Sequence, residues 1–282
     1  MCVCNKFRKN CKMFKSVRKK VHINYIQETE VRYTSSISYL IFKDMNPNSL
    51  ARLTPIQKTV LGGVGGLISV ANPWRADLVS SSGEVIFPRP ALRRLANKMY
   101  LHPVGRQILK EKPLINDEIL DSYVGGLSSL ESNSFGYHLH QQKVKSKISF
   151  DTRTEVKFEI EPENSSEIKL EYVIQRYRQV HDMLHLLLDQ PTNYVGEATV
   201  KAFEAIQTQG LPMTLLGASA APVIRFIGKK QPKSLEKYLV DRLPWAVHTA
   251  KKCPNVYCIY WEKHLAKDIN ELRRELNISV NK

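Results

Sequence analysis

The sequence predicts an all-α fold: a single compact helical domain with a helical-hairpin metal site, preceded by a basic leader. Three observations predict it. Apolar residues recur at helical spacing through segments bounded by Pro, Gly and capping residues. Strand-like alternation is confined to one stretch, too little to build a sheet. The 282 residues, 43% of them apolar, suffice for one substantial core, and no internal repeat divides them.

The elements follow from the punctuation. Residues 1–27 carry eight Lys or Arg, and the first acid is Glu28. A basic, acid-free start reads as an organelle-targeting leader, assigned here to residues 1–46. The alternative is a basic tail, and the excess of Lys over Arg, with Cys2, Cys4 and Cys11, is unusual for a leader. The helical domain is assigned to residues 47–282. In Thr54-Pro55-Ile56-Gln57 an N-cap, a proline at the first helical position and a capping-box glutamine coincide. The helix they start runs through the glycine-rich 61–67 and stops before Asn72-Pro73. Gly62-Gly63 and Gly65-Gly66 are no phosphate loop, because no Gly-Lys-Ser/Thr follows. They are expected to admit a neighbouring helix or an isoprenoid chain close to the backbone.

Short helices follow at 90–100, 103–112 and 117–123, with a weaker one at 131–145. The alternation of Val156, Phe158 and Ile160 reads as an extended loop or isolated strand over 152–161. The longest periodic segment is 167–189, with Val173, Val180, Leu184 and Leu187 as its core stripe. Residues 198–208 form its partner helix, and helices at 233–252 and 261–276 finish the domain.

Charge and composition exclude several function classes. The net charge is +15, but much of the excess sits in the leader and no nucleic-acid motif accompanies it, so nucleic acid is not expected as a partner. Cys253 and Cys258 lack a second pair at zinc-finger spacing and read as loop and packing residues. So few cysteines fit a reducing compartment. One uncharged run, 59–74, holds four glycines and falls short of the roughly twenty apolar residues that a membrane span needs. A second run, 210–224, carries Pro212 and Pro222 and so cannot be one continuous helix. Its Leu211, Met213, Leu215, Leu216, Val223 and Ile224, ahead of Arg225, Lys229 and Lys230, suit either a membrane interface or a core helix with a basic exit.

One motif carries chemistry. In His181-Asp182-Met183-Leu184-His185, with eleven residues before Glu197, two imidazoles and two carboxylates come within reach of one ion. Relative to His181, Asp182 lies about 100° and His185 about 40° round a helix. Pro191-Thr192-Asn193 signals the turn after which Glu197 opens the next helix and closes the site across a hairpin. Such N/O ligands suit zinc, iron or manganese. The pattern is not that of a zincin, where the acid directly after the first His is the base. A helical phosphohydrolase would need further His and Asp ligands, and the other histidines are scattered. A solvated or hydrogen-bonded His pair is the plain alternative. Arg178 could meet an anionic substrate or orient Asp182 from one turn away, and Tyr177 is a hydrogen-bond donor behind His181 or plain packing.

The stretch Gln175 to His185, then Gly196-Glu197, then Gln209-Gly210-Leu211-Pro212-Met213, resembles the mitochondrial ubiquinone (coenzyme Q) biosynthesis protein four family. The resemblance extends to Leu53-Thr54-Pro55-Ile56-Gln57-Lys58, Asn72-Pro73-Trp74-Arg75-Ala76-Asp77-Leu78, Pro103-Val104-Gly105-Arg106, Tyr260-Trp261-Glu262-Lys263-His264 and Glu271-Leu272-Arg273-Arg274-Glu275-Leu276, about 47 to 279 in all. It implies an all-α fold with a divalent metal, zinc first and iron or manganese as alternatives, on His181, Asp182, His185 and Glu197. It also implies a peripheral protein on the matrix side of the mitochondrial inner membrane. Its partners would be polyprenylated benzoate and quinone intermediates, the other ubiquinone-biosynthesis enzymes of a complex, the membrane surface and, as a further assembly, a homodimer. The implied reaction removes the carboxylate at ring carbon one of a polyprenylated 4-hydroxy-3-methoxybenzoate, in some accounts with hydroxylation there. The other function implied is a non-catalytic, lipid-binding scaffold. Departures from the family lie in the lysine- and cysteine-rich front and in the loop 131–147, to which nothing functional is carried over. Four protein ligands would crowd a tetrahedral zinc, so catalysis would need a larger shell or a displaced carboxylate.

Overall fold

Helix α1 (Pro55–Ala71) begins where its capping residues put it. The Thr54 hydroxyl accepts a hydrogen bond from Gln57 N at 3.3 Å, and the Gln57 side chain accepts one from Thr54 N at 2.9 Å. This reciprocal box satisfies two N–H groups that the helix leaves unpaired. The structure is a computed structural model that describes residues 53–71, 82–85, 88–118, 127–146, 156 and 168–281, all within the unit Leu50–Lys282. The leader, the 152–161 stretch apart from Val156, and all but the first two residues of 117–123 lie outside the described residues. A side chain at Gly63 would meet nothing within 4 Å, so at that glycine no described neighbour uses the close approach that was expected.

Helices α2 (Arg89–Leu101) and α3 (Pro103–Glu111) meet at His102, whose ring accepts a hydrogen bond from Gly105 N at 3.3 Å. Helix α4 (Phe135–Ser146) starts later than the predicted 131, because the Ser134 hydroxyl accepts from Tyr137 N and so caps the helix there.

Helix α5 (Leu170–Leu187) is the centre of the domain. Its stripe Val173, Val180, Leu184 and Leu187 is fully buried, and it packs against α2, α4, the turn Val256–Cys258 and α6 (Tyr194–Gln207). The chain reverses between α5 and α6 through Asp189, which takes the left-handed conformation (φ 52°). Arg273 donates to the last carbonyls of α5, Leu186 O and Leu187 O, each at 2.9 Å, so a cation sits at the negative end of the helix.

The run 210–224 splits as expected, but not at a proline. Helices α7 (Pro212–Ala218) and α8 (Ala220–Gly228) divide at Ser219, and both prolines sit in first turns, where no N–H is missed. The predicted helix 233–252 is α9 (Pro232–Lys237), a π turn (Tyr238–Arg242) and α10 (Leu243–Lys252). Pro244 accounts for the π turn: its ring would strike the carbonyl four residues back, and Leu243 N bonds instead to Tyr238 O. The predicted helix 261–276 is not one helix. A 3₁₀ turn (Trp261–His264) precedes α11 (Ile269–Glu275), because the Asp268 carboxylate accepts from Asn270 N and Glu271 N at 2.8 Å and starts a new helix.

Among the described residues there is no strand, only a lone bridge between Ser134 and Asp268, and no helix long and apolar enough to cross a membrane. The domain is all-α, as the sequence predicts. Cys253 and Cys258 are free thiols in its core. Burial pushes the Cys253 thiol up to about 12 and the Cys258 thiol up to about 11. Neither forms much thiolate at pH 8, and thiolate is the reactive species. Iodoacetamide at pH 8 is expected to leave both unmodified in the native chain and to alkylate both in urea, as read by peptide mass spectrometry. Native labelling of either would show that this part of the core opens.

Candidate metal centre

Three residues spaced by whole helical turns on α5 face three on α6. Tyr177, His181 and His185 stand at i, i+4 and i+8 on the first helix, and Glu197, Lys201 and Glu204 at i, i+4 and i+7 on the second. Local sequence fixes the register. The Asn193 side chain caps α6 by accepting from Gly196 N at 3.0 Å, which places Glu197 in the first turn. A Cβ at Gly196 would lie 1.8 Å from the Pro191 carbonyl oxygen, so only glycine lets the turn fold this tightly under the site.

The Nε2 atoms of both histidines converge on one carboxylate. His181 Nε2 lies 3.3 Å from Glu197 Oε2, and His185 Nε2 lies 3.2 Å from Glu197 Oε1. The imidazoles meet edge to face, with centroids 4.8 Å apart. Ligand atoms of His181, His185 and Glu197 all fall within 4.8 Å of one another, close enough for one ion. Both histidines are buried; the Glu197 side chain is 43% exposed and forms the open side of the site.

The other ring nitrogen of each histidine is already engaged. His185 Nδ1 lies 3.1 Å from the Gln190 carbonyl, which can only accept, so that nitrogen carries the proton. His181 Nδ1 lies 2.9 Å from Glu204 Oε1, a fully buried carboxylate. With its proton on Nδ1, His185 Nε2 is a buried acceptor that faces another acceptor, Glu197 Oε1 at 3.2 Å, and so has no hydrogen-bond partner. A buried, unpaired lone pair beside a carboxylate is what a cation would satisfy.

Charge is concentrated on this hairpin. Burial and then the Lys201 ammonium lower the pKa of His181, but Glu204 and the hydrogen bonds to Glu197 and Glu204 outweigh them and leave it raised to about 9. Burial would raise the Glu197 carboxyl; the two facing imidazoles outweigh it and hold that group well below the usual range. Burial likewise opposes ionisation of Glu204, yet Lys201 and His181 bring it down to about 2. A divalent ion would put its charge between the same two carboxylates that raise the His181 pKa.

Of the predicted site residues, His181, His185 and Glu197 come together. Asp182 is buried on the same turn but stands outside that group, in keeping with its position about 60° round the helix from His185. Tyr177 donates to Glu204 Oε2 at 3.0 Å and so stands behind His181 through that carboxylate. Arg178 forms a buried ion pair with Glu84 at 2.8 Å, a partner 94 residues away that no local spacing could indicate. The predictions missed Glu204, Lys201 and the Gln190 carbonyl. The signal for the first two was the charged i, i+4, i+7 stripe from Glu197, on a helix otherwise apolar enough to be buried.

The rim carries apolar surface. Leu215, Leu216, Val223, Ile224 and Ile227 are exposed on α7 and α8, beside Arg225, Lys229 and Lys230, whereas Leu211 is fully buried and Met213 partly so. Arg225 lies 4.0 Å over the ring of Tyr194, three residues before Glu197, which ties α8 to the open side of the site.

The sequence model of the family described as coenzyme Q (ubiquinone) biosynthesis protein Coq4 matches residues 48–282. A ubiquinone biosynthesis protein COQ4 homolog, mitochondrial, from Homo sapiens is 39% identical over 227 residues, 80% of each chain. The protein of the same name from Aedes aegypti is 37% identical over 231 residues, 82% of this chain and 79% of its own. A crystal structure of a Nostoc punctiforme protein described as a ubiquinone biosynthesis protein superposes with a TM-score of 0.59 at 18% identity. It covers 79% of this chain and 98% of that one, a likeness of fold.

Proposed function

This chain belongs to the coenzyme Q (ubiquinone) biosynthesis protein Coq4 family and so to ubiquinone biosynthesis, and from that premise we propose that it is a metal-dependent carboxy-lyase. The substrate is a polyprenylated 4-hydroxy-3-methoxybenzoate, which loses the carboxylate at ring carbon one. The observation that carries this reading is the buried, unpaired Nε2 of His185, aimed with that of His181 at the Glu197 carboxylate.

His181, His185 and Glu197 are the direct ligands, and Asp182 on the same turn adds a second carboxylate to balance a divalent charge. Two histidines and one glutamate leave a position open for substrate, which removes the crowding that four protein ligands would cause. Zinc is the first candidate, iron and manganese the others. When bound, the ion supplies a Lewis acid for a substrate oxygen. Glu197, on the open side, orients what enters. Protonation of the ring at carbon one, helped by the para hydroxyl, gives a dienone. The bond to the carboxylate then breaks, carbon dioxide leaves, and the electron pair returns to the ring.

The relatives named above are mitochondrial; the setting proposed for this chain is the matrix side of the inner membrane, within a complex of ubiquinone-making enzymes, with residues 1–46 as the import leader. The exposed apolar face of α7 and α8, with its basic border, is the surface that meets lipid, so the head group reaches the site while the polyprenyl tail stays in the bilayer. Leu215→Glu or Leu216→Glu is therefore expected to reduce sedimentation with liposomes and to leave metal content unchanged. Full partition of either variant onto liposomes would place the lipid contact elsewhere.

The test of the reaction uses the full chain in lipid nanodiscs, loaded in turn with zinc, iron and manganese. Carbon dioxide is counted from a ring-carboxyl-labelled prenylated substrate, with and without oxygen. Metal-dependent release supports the lyase, and the oxygen arm tells whether hydroxylation is coupled. No release from folded, metal-replete protein would leave a lipid-binding scaffold.

A further inference from the structure

Behind His181 lies a closed set of hydrogen bonds that the ligand arrangement alone does not require. The Lys201 ammonium reaches three acceptors: Glu204 Oε2 at 2.8 Å, the Tyr177 phenol oxygen at 2.8 Å and His181 Nδ1 at 3.2 Å. Tyr177 donates to the same Glu204 Oε2, and Glu204 Oε1 takes the nearer contact with His181 Nδ1 at 2.9 Å. Two groups thus compete for one ring nitrogen with opposite consequences. If Lys201 donates to Nδ1, the ring proton sits on Nε2, and that nitrogen cannot bind an ion. If Nδ1–H donates to Glu204, the Nε2 lone pair is free.

The geometry favours the second arrangement. Glu204 is closer, and Lys201 has two better acceptors than the ring. Glu204 is fully buried, and a carboxylate stays charged at such a place only beside a cation. Lys201 supplies it and cancels that charge, so a bound ion faces the Glu197 carboxylate without a second uncompensated one behind His181.

The lysine reaches this position because α7 lets it through. A Cβ at Gly217 would lie 2.7 Å from Lys201 Cγ and 3.1 Å from its Cβ, inside contact distance and at the base of the side chain, where it cannot easily swing away. Glycine is a poor residue for the body of a helix, and here its missing side chain is the channel for the lysine stem.

We infer that Glu204 and Lys201 are positioning residues for the metal centre, holding His181 with its proton on Nδ1 so that Nε2 faces the ion, and that Gly217 keeps the lysine in place. The inference rests on the metal reading above. Partners of this kind, which do not touch a metal, typically cost roughly 10–100-fold in metal affinity when removed.

The experiment measures zinc affinity of the full chain by competition with a chromogenic chelator, beside the melting temperature of the metal-free protein. Glu204→Gln is expected to weaken zinc binding by roughly 10–100-fold and to shift the visible absorption of the cobalt-loaded form. Gly217→Ala is expected to act in the same direction to a smaller extent. Adding Lys201→Met to Glu204→Gln should cost little more, because the lysine acts through the carboxylate. A purely structural role would lower the metal-free melting temperature and leave affinity and absorption of the folded protein unchanged, which would overturn the inference. Long-range proton–nitrogen spectra of zinc-loaded wild type decide the matter should Glu204→Gln fail to fold. A protonated Nδ1 on His181 is expected, and a protonated Nε2 would overturn it. If wild type itself takes up no metal, the metal reading fails and this one with it. If wild type binds and Glu204→Gln binds equally, only this one fails.

Discussion

Replacing His185 with alanine is expected to cost more metal affinity than the roughly 100-fold that marks loss of a partner behind a ligand, and to abolish carbon dioxide release. His185 is 1% exposed, and its Nδ1 is held by the Gln190 carbonyl, so its Nε2 is fixed toward the ion, and alanine leaves no nitrogen there. The fold should survive, because α5 keeps its stripe of Val173, Val180, Leu184 and Leu187. A variant that is folded, metal-free and inactive matches the proposal. One that loses metal but still releases carbon dioxide would make the ion a staple between α5 and α6 and put the chemistry elsewhere.

The second large effect is on stability. Arg178 and Glu84 pair at 2.8 Å with side chains 8% and 1% exposed. Arg178→Met is expected to cost about 3–5 kcal/mol, since it leaves a carboxylate buried without its cation. Urea unfolding reads this directly. Adding Glu84→Met should recover most of the loss, because an apolar pair of similar size need not pay for burying charge. A single variant within about 1 kcal/mol of wild type would mean that Glu84 reaches water or another donor when the arginine is gone.

These two predictions also mark how far the sequence could be read. Local chemistry was legible: Thr54 and Gln57 form the capping box that their spacing predicts, Pro103 starts a helix, the turn at Pro191-Thr192-Asn193 precedes α6, although α6 begins at Tyr194 and not at 198, and the apolar stripe of α5 is buried at every predicted position. Where the structure departs from the predicted helices, a second local signal decides. Asp268 with Glu271 three residues on resets the helix expected over 261–276, Ser134 delays α4, and Pro244 forces a π turn into an otherwise continuous helix.

The site was legible in the same sense. Tyr177, His181, His185 and Glu197 meet because 3.6 residues per turn puts them on facing stripes. Asp182 shows the limit of that arithmetic, for sharing a turn with two converging histidines does not bring its carboxylate into their group. Partners set by tertiary packing were out of reach. Glu84 comes to Arg178 from a distant part of the chain, and Gln190 meets His185 through a backbone carbonyl, which carries no side-chain signature. Leu211 and Leu215 look alike in sequence, yet one is buried under α7 and the other faces outward.

X-ray absorption on the purified, metal-loaded chain tests the central claim most directly, because it reports what surrounds the ion. Two imidazole nitrogens and carboxylate oxygen, with imidazole scattering reduced in His181→Ala and in His185→Ala alike, is the result predicted here. An ion with no imidazole in its shell, or a shell unchanged by both substitutions, would mean that the hairpin of α5 and α6 is not where the metal sits.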